Sequence, residues 1–200
     1  NPVRSEIAGL TAPEQRLADR EGLPRLLVLG GSRGALAINQ MLPAALALIE
    51  PSQRPQVRHQ TGKLHCAETQ ALYAAAGVSA EVVPFIDQMD EAYGWADFAI
   101  CRAGALTVAE LTSAGLGALL IPFPFAIDDH QTVNGQLLVE QGAALMIAQS
   151  DLTPALLAKQ ITALCGDSEG RLKMAVSARQ LAKTGAAERV ADICLEVANA

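Results

Sequence analysis

Six short runs with the character of β-strands, most of them apolar throughout, alternate with longer segments of helical periodicity from residue 25 onward. This alternation constrains the fold more than any other feature of the chain. The predicted strands occupy residues 26–29, 57–60, 81–83, 98–101, 118–121 and 144–147. The predicted helices occupy residues 35–49, 64–76, 89–96, 106–114 and 131–140, and three more begin at Pro154, Glu169 and Ala187. Continuously apolar strands joined by helices predict an α/β fold with a doubly wound, Rossmann-like parallel sheet. Pro43 falls inside the first of these helices and is expected to kink or restart it.

The first 24 residues differ in character from the rest of the chain. The chain begins at Asn1 without a methionine, and residues 5–24 are polar, weakly periodic and bounded by prolines. We therefore predict an interdomain linker or hinge over residues 1–24. Residues 25–200 are predicted to be a single domain, because 200 residues that are 50% hydrophobic and 18% charged suit one well-buried core.

Composition excludes several classes of function. The net charge of −6 and a pI near 5.0 argue against a nucleic-acid partner. No apolar run approaches the roughly 20 residues that span a bilayer. The four cysteines are widely spaced and form no C-x-x-C motif, so neither a zinc site nor a disulfide framework is expected, and a reducing cytoplasm is the default compartment.

The loop after the fourth predicted strand carries the strongest signal for a ligand. Gly104 allows a turn, and the following helix presents unpaired N–H groups and the positive end of its dipole, which suit the phosphates of a nucleotide diphosphate. Glu110 would lie about one turn inside this helix, where its carboxylate can accept hydrogen bonds from both ribose hydroxyls. Simpler roles remain open: Glu110 and Thr107 as ordinary helix residues, and Arg102 as the partner of a carboxylate.

The loop after the fifth strand adds polar side chains to the same crevice. Residues 128–134 follow a rigid apolar Pro-Phe-Pro-Phe stretch at 122–125, which favours a positioned loop over a solvated one. Gln131 and Asn134 offer donor and acceptor together and suit sugar hydroxyls. His130 would bind sugar or phosphate, or cap a carbonyl, and catalysis is the least favoured of its roles.

Two other loops reach the same edge of the sheet. Residues 30–35 are Gly-Gly-Ser-Arg-Gly-Ala, in which Ser32 would bind a phosphate or the glycines would simply make a tight turn. This stretch lacks G-x-G-x-x-G, and no acidic residue ends the second strand, which disfavours a dinucleotide site. In residues 84–89, Ile86 would contact a base or belong to the core, and Asp87 is a candidate N-cap for the next helix.

Four segments together carry a resemblance to a known family. Residues 1–4, 30–35, 101–110 and 129–134, in this order and spacing, resemble the carboxy-terminal half of the MurG family of bacterial glycosyltransferases. This resemblance implies transfer of N-acetylglucosamine (GlcNAc) from UDP-GlcNAc to lipid I, forming lipid II in peptidoglycan biosynthesis, on the cytoplasmic side of the inner membrane. It also implies a GT-B fold of two Rossmann-like domains, with the donor held mainly by the domain present here.

The resemblance also implies roles for individual residues. Ser32 and the residues at the start of the helix near residue 105 would contact the diphosphate, Arg4 would contact the donor at the hinge, Ile86 would meet uracil through its backbone, and Glu110 would hold the ribose. Gln131, with His130, would face the GlcNAc hydroxyls. The full set of substrate-binding positions implied is Arg4, Ser32, Ile86, Ala105, Leu106, Thr107, Val108, Ala109, Glu110, His130, Gln131 and Asn134.

The implied reaction is inverting and needs neither metal nor cofactor, and no D-x-D pair argues for manganese. The general base, the lipid I groove and the membrane contact would lie in an amino-terminal domain absent from this chain, so these residues alone should bind UDP-GlcNAc and transfer little or no sugar. Two alternatives stay open: a natively separate sugar-nucleotide-binding subunit that needs a membrane partner, and a nicotinamide-dependent oxidoreductase.

Overall fold

The computed structural model describes residues 1–18, 20–31, 35–126, 129–183 and 185–198. Within these residues six parallel strands form one sheet in the order β3-β2-β1-β4-β5-β6, which confirms the predicted doubly wound fold. The strands are β1 (Arg25–Leu29), β2 (Gln56–Gln60), β3 (Glu81–Val83), β4 (Phe98–Cys101), β5 (Ala118–Leu120) and β6 (Ala144–Met146).

Helices cover both faces of the sheet. They are α1 (Ser5–Ala8), α2 (Pro13–Ala18), α3 (Leu36–Ala47), α4 (Cys66–Ala75), α5 (Met89–Trp95), α6 (Ala105–Ala114), α7 (His130–Glu140), α8 (Pro154–Gly166), α9 (Ser168–Gln180) and α10 (Ala186–Ala198). Every helix predicted after residue 25 is present, with ends that differ by at most two residues. None of the described helices is long and apolar enough to cross a bilayer.

The core consists of two apolar layers, one on each side of the sheet. Successive side chains of a strand point to opposite faces, so Leu26 and Val28 of β1 pack with α3, α4 and α8, while Leu27 and Leu29 pack with α1, α5, α6 and α7. All four side chains are buried. Burial of both faces explains why the strands lack alternation of polar and apolar residues.

Of the two effects expected of Pro43, the restart is wrong, because one α-helix runs through this residue from Leu36 to Ala47, and the kink stays a prediction. Ile38, Leu42 and Leu46 of this helix are fully buried, and α3 packs against both α4 and α8. The tertiary packing of this apolar face therefore holds the helix together across the missing backbone donor of the proline.

The first 18 residues contain two short helices that pack on the domain. Ile7 of α1 is fully buried. Arg16 of α2 donates from Nη1 to the carbonyl of Ala114 at 2.7 Å and from Nη2 to that of Gly115 at 2.6 Å, at the C-terminal end of α6. Arg179 of α9 donates to the carbonyl of Ser113 at the same end and reaches the carbonyls of residues 8 and 10 of the amino-terminal segment. The role of residues 1–24 as an interdomain linker stays a prediction.

Candidate nucleotide-binding site

A cavity of about 350 Å³ opens at the carboxyl ends of the strands, where β1 and β4 meet and the strand order reverses. In doubly wound sheets this is where ligands bind, and the volume lies within the range for small-molecule sites. The cavity is lined by Arg4, Leu29, Gly30, Gly31, Gln60, Phe85, Ile86, Met89, Tyr93, Arg102, Leu106, Thr107 and Glu110.

Helix α6 begins at this cavity. Its N-cap is Gly104, whose φ of −66° and ψ of 145° are extended, and the first helical hydrogen bond runs from the N–H of Val108 to the carbonyl of Gly104 at 2.9 Å. No side chain caps this end within the described chain. The N–H groups of Ala105, Leu106 and Thr107 therefore remain without a helical partner, and with the helix dipole they form a place for an anion.

Glu110, one turn further along α6, is held by two side chains. Its Oε2 accepts a hydrogen bond from the hydroxyl of Tyr93 at 3.0 Å, and its Oε1 accepts one from Nη2 of Arg4 at 3.3 Å. Tyr93 is fully buried, whereas the side chains of Glu110 and Arg4 are 21% and 53% exposed. Burial raises the pKa of Tyr93 well above its usual value, and the neighbouring charge of Glu110 raises it further, so the phenol remains a donor.

Gln60 fixes the glycine loop after β1. Its Oε1 accepts from the N–H of Gly31 at 2.9 Å, and its Nε2 donates to the carbonyls of Gly31 at 3.0 Å and Pro84 at 3.3 Å. The strands also approach closely, since a Cβ on Gly30 would lie 2.8 Å from the carbonyl oxygen of Gln60. Gln60 stands where dinucleotide-binding sheets carry an acidic ribose ligand, and its amide is committed to backbone, which disfavours a nicotinamide cofactor. Ser32 lies outside the described residues.

The loop after β3 brings Ile86 to the cavity. Its side chain is partly buried, and no backbone hydrogen bond among the described residues involves its N–H or its carbonyl. Both groups can therefore bind the edge of a base. The prediction that Asp87 caps the next helix is wrong: the N-cap of α5 is Gln88, one residue later, and its side chain donates to Glu91 rather than accepting from a backbone N–H.

The loop after β5 is joined to its neighbours by the two predicted sugar-binding amides. Oε1 of Gln131 accepts from the N–H of Phe123 at 3.0 Å, and Nδ2 of Asn134 donates to the carbonyl of Ala103 at 3.1 Å, next to the start of α6. His130 is exposed at the first position of α7. Asp128 of this loop lies outside the described residues.

The cavity therefore brings together only some of the predicted substrate-binding residues. Arg4, Ile86, Leu106, Thr107 and Glu110 line it. The other described positions, which lie on α6 or α7 outside its lining, are Ala105, Val108, Ala109, His130, Gln131 and Asn134. Their roles stay predictions.

Arg102 has a role that the sequence did not reveal. Its Nη1 donates to the carbonyls of Ile121 at 3.0 Å and Pro122 at 3.1 Å, and its Nη2 donates to Oε1 of Gln149 at 2.6 Å. The guanidinium also lies 5.5 Å from the centre of the Phe123 ring. No described carboxylate pairs with it, so that alternative is wrong, and burial lowers its pKa. Arg102 holds the ends of β4 and β5 and the segment after β6 in one arrangement.

Sequence reasoning also missed Tyr93 and Gln60. Tyr93 is one of two tyrosines in a chain with few aromatic residues, and a polar aromatic side chain inside a short helix beside a buried strand is a weak signal. Gln60 stands out in the sequence only because no acidic residue ends the second strand. Neither pattern indicates which atoms these side chains reach.

The strand order defines a Rossmann-like, doubly wound domain, and the uncapped start of α6 with a carboxylate one turn inside it suits a nucleotide ligand at the switch point. The model of the glycosyltransferase family 28 C-terminal domain matches residues 25–197, and the chain belongs to this family.

Relatives and solved structures agree with this assignment. The chain is 56% identical over 199 residues to a protein from Marinobacter nauticus and 53% identical to one from Nitrosococcus oceani, covering 100% of this chain and 55% of each relative. Both are named UDP-N-acetylglucosamine--N-acetylmuramyl-(pentapeptide) pyrophosphoryl-undecaprenol N-acetylglucosamine transferase. The chain thus spans about half the length of these curated relatives.

The crystal structure of Acinetobacter baumannii MurG superimposes with a TM-score of 0.87 at 40% identity, covering 95% of this chain and 55% of that one. WaaG, a glycosyltransferase involved in lipopolysaccharide biosynthesis, gives a TM-score of 0.67 at 18% identity, covering 96% of this chain and 51% of its own, and shows the shared fold alone. The predicted GT-B domain and the resemblance to MurG are confirmed.

Proposed function

We propose that this chain is the donor-binding part of an inverting glycosyltransferase that moves GlcNAc from UDP-GlcNAc to lipid I in peptidoglycan biosynthesis. The observation that carries the proposal is the cavity at the strand switch point, where the free amides of α6 and the carboxylate of Glu110 lie along one helix. The names of relatives more than half identical to this chain support the choice of donor and acceptor.

The spacing along α6 suits a nucleoside diphosphate. The five steps from Ala105 to Glu110 advance about 7.5 Å along the helix axis at 1.5 Å per residue. A diphosphate at the amides of Ala105, Leu106 and Thr107 thereby leaves the ribose within reach of Glu110. Uracil then lies toward the N–H and carbonyl of Ile86, which lines the same cavity.

The remaining predicted positions take supporting roles in the proposal. Arg4 already lies at the mouth of the cavity and can turn from Glu110 toward a phosphate, because its side chain is half exposed. Ser32 is assigned to the diphosphate, and the backbone of Val108 and Ala109 completes the first turns of α6. The sugar is assigned to the first turns of α7, through His130, Gln131 and Asn134.

In this mechanism the chain holds and stabilises the leaving group. The acceptor hydroxyl attacks the anomeric carbon, the bond to the diphosphate oxygen breaks, and negative charge develops on the departing UDP. Preorganised N–H groups at the start of α6 stabilise that charge without reorganising. We assign the general base, the lipid I groove and peripheral contact with the inner membrane to an amino-terminal half, since this chain spans about half of its relatives.

Calorimetric titration tests the donor assignment. UDP-GlcNAc, UDP-glucose, UDP and NAD are titrated into the chain and into its Glu110→Ala and Glu68→Ala variants. Loss of the ribose contacts should weaken the three uridine nucleotides together by roughly 1–3 kcal/mol. Glu68→Ala removes an exposed carboxylate of α4, which does not line the cavity, and should leave affinity unchanged. Tighter binding of NAD, or no effect of Glu110→Ala, would contradict the proposal.

A turnover assay tests the division of labour. With UDP-GlcNAc and a soluble lipid I analogue, these 200 residues should bind donor and release little or no UDP beyond slow hydrolysis. Rapid sugar transfer by this chain alone would show that the general base lies within it.

A further inference from the structure

Tyr93 carries a buried hydroxyl whose position packing alone does not explain. The side chain is fully buried in the apolar layer to which α1, α5, α6 and β1 contribute. A phenylalanine would fill the same space. A hydroxyl in such a layer is unfavourable unless it is hydrogen-bonded, and within the described chain the Tyr93 hydroxyl bonds to Oε2 of Glu110 at 3.0 Å.

The two partners of Glu110 differ in how firmly they hold it. Tyr93 is immobilised by the core on a short helix that packs against β1 and α6. Arg4 reaches Oε1 at 3.3 Å from a side chain that is 53% exposed, and an ion pair of this kind contributes little and exchanges readily. One carboxylate oxygen of this cavity-lining residue therefore has a fixed anchor from the core, while the other has a replaceable partner.

We propose that Tyr93 is a positioning residue for nucleotide binding: its hydroxyl holds Oε2 of Glu110 so that the ribose hydroxyls of a uridine nucleotide donate to the carboxylate in place of Arg4. This inference rests on the proposed function, because it assigns the ligand of Glu110 to a ribose. Tyr93 acts through Glu110: its hydroxyl is committed to Oε2 and limits the rotation of a flexible glutamate, so that less conformational entropy is lost when the nucleotide binds.

The chain offers a matched control in its other tyrosine. Tyr73 is 3% exposed, and its hydroxyl is also hydrogen-bonded, to Nδ1 of His59 at 3.0 Å. It belongs to the apolar layer on the opposite face of the sheet and does not line the cavity. Tyr73→Phe therefore removes a comparable buried hydrogen bond without touching the proposed site.

The test is a titration that separates the ribose from the rest of the ligand. UDP and 2′,3′-dideoxy-UDP are titrated into the unsubstituted chain, Tyr93→Phe, Tyr73→Phe, Glu110→Ala and the double variant Tyr93→Phe/Glu110→Ala, each checked by thermal unfolding. Tyr93→Phe should weaken UDP about tenfold, the equivalent of about 1.4 kcal/mol, and leave the dideoxy ligand unaffected. Tyr73→Phe should bind UDP normally. In the Glu110→Ala background, Tyr93→Phe should add no further loss, since the two residues act as a unit.

Three results would overturn the inference. An equal loss of UDP and dideoxy-UDP affinity in Tyr93→Phe would mean a general structural effect. Normal UDP binding by Tyr93→Phe alongside weakened binding by Glu110→Ala would leave the proposed function standing and remove the role of Tyr93. Failure of the unsubstituted chain to bind UDP would contradict the proposed function and this inference together.

Discussion

Gly30→Ala should destabilise the domain through a backbone clash at the end of β1. The added Cβ would lie 2.8 Å from the carbonyl oxygen of Gln60 and 3.1 Å from the backbone nitrogen of Ala35, so the atoms it meets belong to the main chain and cannot rotate away. Gly30 does not have a positive φ in this structure. The expected effect therefore comes from space alone and not from an unfavourable backbone conformation.

Its magnitude follows from two terms. Forcing an extra methyl group into a close-packed position costs about 1–3 kcal/mol. The 2.7 Å hydrogen bond from the N–H of Gly30 to the carbonyl of Gln60 must also lengthen as β1 and β2 separate, which costs up to about 1 kcal/mol. Together they predict a loss of about 1–4 kcal/mol in the free energy of unfolding, against the roughly 5–15 kcal/mol typical of a domain.

Urea denaturation measures this loss, and Gly104→Ala is the matched control. A Cβ on Gly104 meets only the hydroxyl of Thr107 at 3.9 Å, and the backbone there suits any residue. Alanine is a poorer N-cap but restricts the unfolded chain, and these opposed effects should leave stability within about 1 kcal/mol of the unsubstituted protein. If the two variants had the same unfolding midpoint and slope, the reasoning from close approach would be refuted.

Three further predictions concern stability away from the cavity. Burial lowers the pKa of His59 from 6.5 to about 3, so between these pH values the unfolded chain binds a proton that the folded chain does not. The free energy of unfolding should therefore fall from pH 6.5 toward pH 3 by up to about 1.4 kcal/mol per pH unit. His59→Gln should remove this part of the pH dependence, measured by urea denaturation at a series of pH values. Thr153→Ala removes the side-chain cap of the first turn of α8 and should cost about 1 kcal/mol by thermal unfolding, a loss that Thr153→Ser should largely restore. Arg179→Met releases carbonyls of the amino-terminal segment and should speed its cleavage in limited proteolysis, whereas Lys173→Met on the same helix, which breaks only an exposed ion pair, should not.

The architecture was predictable because its signals are local and repeated. Each strand from β1 to β6 is marked by its own apolar run or by its position between helical segments, and parallel connections leave few possible arrangements. Helices α1 and α2 carried no such signal. They are too short to be stable alone, and they form because Ile7 is buried and Arg16 binds carbonyls of α6, contacts that lie far away in the sequence.

The site also combines local features, which the sequence reveals, with contacts between distant residues, which it does not. The start of α6 and the position of Glu110 could be read from spacing, since both lie within six consecutive residues. The partners of that carboxylate could not: Tyr93 lies 17 residues away and Arg4 lies 106 residues away. Arg102 likewise reaches backbone carbonyls and an amide that only the folded sheet brings beside it. Sequence patterns indicate which residues start a binding loop, and tertiary structure decides what holds them in place.

The two ends of α6 differ in their partners, and this has an electrostatic consequence. The last carbonyls of the helix are neutralised by the guanidinium groups of Arg16 and Arg179, whereas its first amides face the open cavity. A helix whose negative pole is compensated presents the other pole as a nearly isolated partial charge of about +0.5. The attraction felt by an approaching anion then falls off more slowly with distance than that of an uncompensated dipole. Two cations on the far side of the domain thus extend the reach of a site that neither of them touches.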